Sequence, residues 1–384
     1  MKRSTDRILT THVGSLPRSE AVCDVLLKKE RGEGHDPAAF HATVAQAVKD
    51  VVALQERLGV DVVSDGETSK IGYATYIKDR VEGFGGDFTP KPHLDLQAHP
   101  DYREMLAKKR GPQLFRRTCC VSEIIPKDDD SLDHDLANFA AALNGANVEE
   151  GFLNAASPGV IASFQPNRHY PSHEAYIEAV AGVMETEYEA ITAAGFLVQV
   201  DCPDLAMSRH TGFQDLTEEE FLKRAAFHVE VLNHALRNVP ADRVRMHLCW
   251  GNYEGPHTAD IPLEKIIDTV LGANVGAISF EAANVRHAHE WAVWRDAARA
   301  GKLGDKTLMP GMLNTTSNYV EHPALIAERI ERFADAVGKE NVIASTDCGF
   351  GTFVGSVTIA PSVAYAKLGS LVEGARIASG RLFG

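Results

Sequence analysis

The residues best placed to do chemistry are His247 and Cys249, two apart in Val244-Arg245-Met246-His247-Leu248-Cys249-Trp250-Gly251-Asn252. The run reads as a buried strand that ends in a Gly/Asn turn. Side chains two apart on a strand point to one side, so this imidazole and this thiolate can reach a common atom. Mixed N/S donors suit Zn²⁺, which prefers tetrahedral coordination. A His-x-Cys pair alone is more often core packing. Here two later strand ends offer further ligands: Glu281 in Ala277-Ile278-Ser279-Phe280-Glu281, and Cys348 in Ser345-Thr346-Asp347-Cys348-Gly349.

These four residues need a scaffold that gathers strand ends. Strands are expected at 8–13, 60–64, 152–156, 196–201, 244–249, 277–281, 308–313 and 342–347, from β-branched and apolar runs that break at Gly, Asp or Asn. Helices are expected between them, at about 36–58, 174–194, 217–238, 263–271, 287–300, 323–337 and 363–378. Thr217-Glu218-Glu219-Glu220 has capping-box form. Eight strands alternating with helices is the count of a (β/α)₈ TIM barrel, and each candidate residue stands at the C-terminal end of its strand, where barrel active sites are built. The chain thus reads as one catalytic domain, 1–384. Residues from about 83 to 135 fit no βα unit and read as an insertion after the second strand, covering one barrel mouth, with a short hairpin near Thr118–Val121. Its basic residues (Lys108, Lys109, Arg110, Arg116, Arg117) read as a solvated face.

With 53 acidic against 39 basic residues and a net charge of −14, the chain has no basic stripe to neutralise phosphates, which argues against a nucleic-acid partner. The start, Met1 to Arg7, lacks the apolar core of a signal peptide, and no run reaches the roughly 18 apolar residues of a membrane span. A cytoplasmic enzyme is expected. Six cysteines in so long a chain do not suggest a disulfide framework, and Cys23, Cys119, Cys120 and Cys202 read as free thiols.

Four segments carry a family resemblance: Thr11-His12-Val13-Gly14-Ser15-Leu16-Pro17-Arg18, Asp65-Gly66-Glu67, His247-Leu248-Cys249-Trp250-Gly251-Asn252 and Asp347-Cys348-Gly349. They resemble signature segments of the cobalamin-independent methionine synthase family, and the likeness spans nearly the whole chain but only the C-terminal catalytic half of full-length members. The same zinc-thiol superfamily includes epoxyalkane:coenzyme M transferase. The resemblance implies a zinc held by His247, Cys249, Glu281 and Cys348, with Glu281 the ligand most easily displaced by substrate sulfur. It implies that Gly14 and Ser15 hold the carboxylate of homocysteine, and that Glu67 and Asp201 hold its amine. These two acids favour an amino-bearing thiol over coenzyme M. Tyr73, Tyr76, Phe164 and Trp250 are candidates to line the alkyl-donor pocket. Asp347 and Asn252 are candidates to orient His247.

Two positions depart from the family pattern. Cys202 stands where a Glu follows the amine-binding Asp, and Thr316 stands where full-length members have a catalytic His. A hydroxyl is no general acid near pH 7, so His210, His257, His287, His289 and His322 are candidate replacements. The resemblance therefore implies thiol S-alkylation, foremost methyl transfer to homocysteine or a similar thiol. Thiolate addition to an epoxide and methyl transfer from a corrinoid protein are the alternatives. The partners expected are a small thiol and an alkyl donor; the Trp291/Trp294 face permits a homodimer.

Overall fold

The computed structural model describes the chain except residues 111–113, 115 and 356–358, and the side chains of 109 and 110. The solvated face expected at Lys109 and Arg110 therefore lies outside the described side chains. Among the described residues ten strands occur in chain order: β1 (Leu9–Thr10), β2 (Val62–Ser64), β3 (Phe84–Gly85), β4 (Cys119–Cys120), β5 (Glu150–Ala156), β6 (Leu197–Asp201), β7 (Val244–Leu248), β8 (Ala277–Phe280), β9 (Thr307–Pro310) and β10 (Ile343–Ala344). Six form one parallel sheet in the order β2-β5-β6-β7-β8-β9, and β1 pairs in parallel with β10. The result is a mixed α/β fold whose parallel sheet curls as a half-barrel. Isolated bridges Leu308–Val342 and Gly311–Ser345 join β9 to the β10 segment. Between β1 and β2 the links are side-chain ones: Thr11 Oγ1 donates to the Val62 carbonyl at 2.9 Å, and Asp61 accepts from Thr10 N at 2.7 Å.

Local chemistry sets the element ends. Asp36 Oδ1 accepts the N–H groups of Ala38 and Ala39 to start the helix Pro37–Leu58, and Gly59 closes it with φ 81°. The Thr217–Glu220 capping box opens the helix Glu218–Ala235. The strands are buried along nearly their whole length, as expected of a parallel sheet covered by helices. Three expectations need correcting. His287 to Glu290 precede their helix, which starts at Trp291. Helices Glu20–Arg31 and Ser131–Leu143 were not foreseen, and the second begins inside the stretch assigned to the insertion. The rest of that stretch includes the antiparallel pair β3–β4 and the helices Leu94–Ala98 and Pro100–Arg110. No helix among the described residues is long and apolar enough to cross a membrane.

Candidate active site

A cavity of about 740 Å³ opens at the C-terminal ends of the parallel strands. Its floor includes Glu67, Asp201, His247, Cys249 and Cys348, and its outer wall comes largely from the 83–135 stretch, including His93, Leu96, Arg103 and Leu106.

At the floor, ligand atoms of His247, Cys249 and Cys348 all lie within 4.8 Å of one another, and all three residues are buried. The two sulfurs are 3.8 Å apart. Burial holds His247 at about 3, so its ring is neutral with a lone pair to offer. The Ser279 carbonyl lies near the ring, yet neither ring nitrogen has a partner in hydrogen-bond geometry. Cys348, and then burial, push the Cys249 thiol far above its ordinary range. Two adjacent thiolates here need a cation. Glu281 stands outside the trio: its Oε1 accepts the Trp250 N–H at 2.7 Å and its Oε2 accepts Asn284 Nδ2 at 2.8 Å.

Several assignments change. Asp347 does not orient His247; its Oδ1 accepts the N–H groups of Ala282 and Ala283, both at 2.8 Å. Asn252 does not either, since it donates to the Gly349 carbonyl and accepts from Thr315 Oγ1. Trp250 does not line the cavity. It is fully buried, its indole N–H donates to the Ile261 carbonyl, and its ring stacks on His287 at 4.1 Å. Tyr76 is likewise buried, with its hydroxyl on Glu187. Tyr73 and Phe164 do line the cavity, edge to face at 5.5 Å, joined by Phe353. Thr316 Oγ1 donates to Asn314 Oδ1. Of the candidate replacement histidines none lines the cavity; His93, which has no sequence signal beyond its place in the insertion, does. Trp294 stacks on Phe280 in the core, and Arg295 and Arg332 lie over the Trp291 ring.

The polar half of the floor is built around two acids. Glu67 is one of the few non-glycine residues with positive φ, 54°. It is held there by Asp65 Oδ1 on its N–H and by Arg18 on its carbonyl. Asp201, at the end of β6, accepts from Gln199 Nε2 at 2.8 Å and Asn154 Nδ2 at 3.1 Å. Burial, then the Asp201 charge, pushes Glu67 up to about 8; burial lifts Asp201 to about 6. Glu67 Oε2 is buried without a partner. The unpartnered Glu67 oxygen beside Asp201 is an arrangement that can accept a cation. Beneath them lies a group the sequence reading missed: Arg245, inward-facing two residues before His247, spans Thr11 Oγ1 and the His12 carbonyl and stacks over Phe152 at 3.9 Å.

Gly14 and Ser15 sit beside this pocket, and Ser15 lines it. The Gly14 N–H is engaged by His12 Nδ1 at 3.1 Å. Gly14 has φ 138°, and a Cβ there would lie 2.1 Å from Asn154 Oδ1. Gly14→Ala combines a conformation closed to L-residues with displacement of an Asp201 partner. It is expected to cost about 3 kcal/mol or more, read as a lowered denaturant midpoint; an unchanged midpoint would refute the close contact.

The family profile described as "Cobalamin-independent synthase, Catalytic domain" matches residues 8–91 and 127–373. Among similar sequences are the methionine synthases of Saccharolobus solfataricus, 23% identical over 375 residues (96% of this chain, 94% of that protein), and of Thermococcus kodakarensis, 22% identical over 369 residues (96% and 92%). A B12-independent methionine synthase from Shewanella sp. W3-18-1, solved with selenomethionine, has a similar fold: TM-score 0.73 at 17% identity, covering 98% of this chain and 99% of that one. With most of its length inside the profile, this chain belongs to the cobalamin-independent methionine synthase family.

Proposed function

We propose that this protein is a zinc-dependent thiol S-methyltransferase acting on homocysteine or a close amino-bearing thiol. The observation that carries the reading is the meeting of His247, Cys249 and Cys348 in the same cavity as Glu67 and Asp201. The donor set fits zinc. For Zn–S bonds of about 2.3 Å a tetrahedral angle separates two sulfurs by about 3.8 Å, and the Cys249–Cys348 separation is 3.8 Å. Family membership supports the metal, and with the names of the similar proteins it supports the reaction class. A closed (β/α)₈ barrel over 1–384 is the matching scaffold, supported by the bridges that extend the sheet from β9 to β10 and the Thr10, Thr11 and Asp61 links from β1 to β2.

When bound, zinc lowers the pKa of a thiol it holds and keeps the sulfur nucleophilic. The chain's own residues do the rest. Glu281, resting on Trp250 N and Asn284, is the carboxylate that can exchange with substrate sulfur. Glu67 and Asp201 receive the substrate ammonium, which fixes the distance from amine to sulfur. Tyr73, Phe164 and Phe353 exclude water from the side where the carbon is delivered. Coenzyme M, whose far end is a sulfonate, would meet those two carboxylates, so the epoxide reading is disfavoured.

Zinc K-edge absorption on the metal-loaded protein tests this. Homocysteine should add a sulfur neighbour to the zinc, coenzyme M should not, and methyl iodide should then yield methionine. Zinc that fails to bind, or a spectrum unmoved by homocysteine, would overturn the proposal.

A further inference from the structure

Behind Trp250 lies a second convergence of ligand-type side chains, absent from the role assigned above. His257 and Asp260 follow β7, and His287 follows β8. His257 Nδ1 and His287 Nε2 sit 2.8 and 2.9 Å from the same atom, Asp260 Oδ2. All three ligand atoms lie within 4.8 Å of one another. The outer nitrogen of each ring is held in turn: His287 Nδ1 by Glu290 Oε2 at 2.8 Å, and His257 Nε2 by the Tyr253 carbonyl at 3.1 Å. Glu290 is itself fixed by the Leu263 N–H. Inner nitrogens converging while outer N–H groups meet a carboxylate or a carbonyl is the arrangement metal-bound imidazoles require.

A fourth residue lies against the other oxygen of Asp260, outside that trio. His210, whose side chain is 0% exposed, has Nδ1 3.1 Å from Asp260 Oδ1. The two do not meet in hydrogen-bond geometry. Both His210 nitrogens and Asp260 Oδ1 are buried without a partner. Leaving such atoms unpaired costs stability, and a cation between His210 Nδ1 and Asp260 Oδ1 would satisfy two of the three.

We propose that His257, Asp260 and His287, with His210 as fourth ligand, form a second divalent-cation site, of the nitrogen/oxygen type that suits Zn²⁺. All four side chains are 4% exposed or less, so no position is left open to substrate and the site is structural. Bonds of about 2.0–2.1 Å in tetrahedral geometry need ligand atoms about 3.3 Å apart, so the His257 and His287 contacts to Asp260 must open by a few tenths of an ångström and the His210 ring must move in toward the trio. The ion would staple the loops that follow β6, β7 and β8. Trp250 stacks on His287 at 4.1 Å and directly follows Cys249, so the staple steadies the wall of the catalytic centre. The competing state is a proton-held network. Burial opposes protonating His287, but hydrogen bonds to Asp260 and Glu290 push it up to about 10. A cation and two protons therefore compete for the same carboxylates.

Counting cations decides between them and does not depend on the alkyl-transfer reading. Tag-free full-length protein is equilibrated with Zn²⁺, gel-filtered and analysed for metal, alongside the Cys249→Ser/Cys348→Ser double variant. Two zinc ions per chain are expected in the unaltered protein and one in the double variant. The variant's K-edge spectrum should show only nitrogen and oxygen neighbours, at about 2.0–2.1 Å. One ion per chain, lost entirely in the double variant, overturns the proposal and leaves the cluster to its protons. Should the variant not fold, Co²⁺ titration of the unaltered protein gives the same answer. A second binding phase without sulfur-to-cobalt charge transfer supports the site, and a single sulfur-bearing phase removes it.

Discussion

Cys348→Ser is expected to lower kcat/KM for thiol methylation by at least about 10³-fold, or about 4 kcal/mol of transition-state stabilisation. Serine keeps the volume, but its hydroxyl is not deprotonated near neutrality and is a poor zinc ligand. His247 and Cys249 would be left with one sulfur between them. The loss comes in two parts. The cation departs, and the substrate thiol returns to its free state, only a few per cent thiolate at pH 7. Cys348 has little other structural duty: its sulfur pairs with that of Cys249, 3.8 Å away. The thermal midpoint of the metal-free variant should therefore match that of the chelated unaltered protein. Metal analysis and methionine formation from methyl iodide are the measurements. A variant that keeps both its catalytic zinc and its rate would remove Cys348 from the centre.

What the sequence disclosed and what it hid follow a physical line. Residue type and strand-end position placed His247, Cys249 and Cys348 together, because parallel strands in sequential order bring their C-terminal ends to one rim. Orientation within that rim was not legible. Asp347 is drawn to the N–H groups of Ala282 and Ala283 in the turn after β8, two strands away, and these outcompete the imidazole. Trp250 turns inward because Ile261 and His287, eleven and thirty-seven residues later, offer its indole an acceptor and a stacking face. Period-based reading failed for the helix Ser131–Leu143, where an acidic start and an adjoining irregular stretch masked an apolar face that buries Phe139. His93 reaches the cavity only because an insertion folds back over the rim, and no local pattern encodes that return. The second histidine cluster was hidden for the same reason. Its members are surface-type residues in three separate loops, and only the stacking of β6, β7 and β8 makes them neighbours.

Asp201→Asn is expected to raise KM for homocysteine by about 10²-fold or more. Removing one partner of a buried charge pair typically costs about 2–5 kcal/mol. The same variant should leave 4-mercaptobutyrate, which lacks the amine, nearly unaffected. That contrast separates amine recognition from damage to the fold, since a structural defect would penalise both thiols. Glu67 adds a pH signature. Its folded-state value is about 8 against an ordinary 4.5, so between those limits the folded protein carries a proton that the unfolded chain has lost. Stability of the substrate-free protein must then fall as pH rises through that window, and level off above it. Binding follows the opposite sense. An ammonium ion is held best when both acids are ionised, so KM for homocysteine should fall as pH approaches about 8. Glu67→Gln fixes the neutral form: it should flatten both slopes and hold KM high throughout. A variant whose KM for homocysteine still falls between pH 6 and about 8 would show that the proton in question belongs elsewhere, and that Glu67 is not where the amine is read.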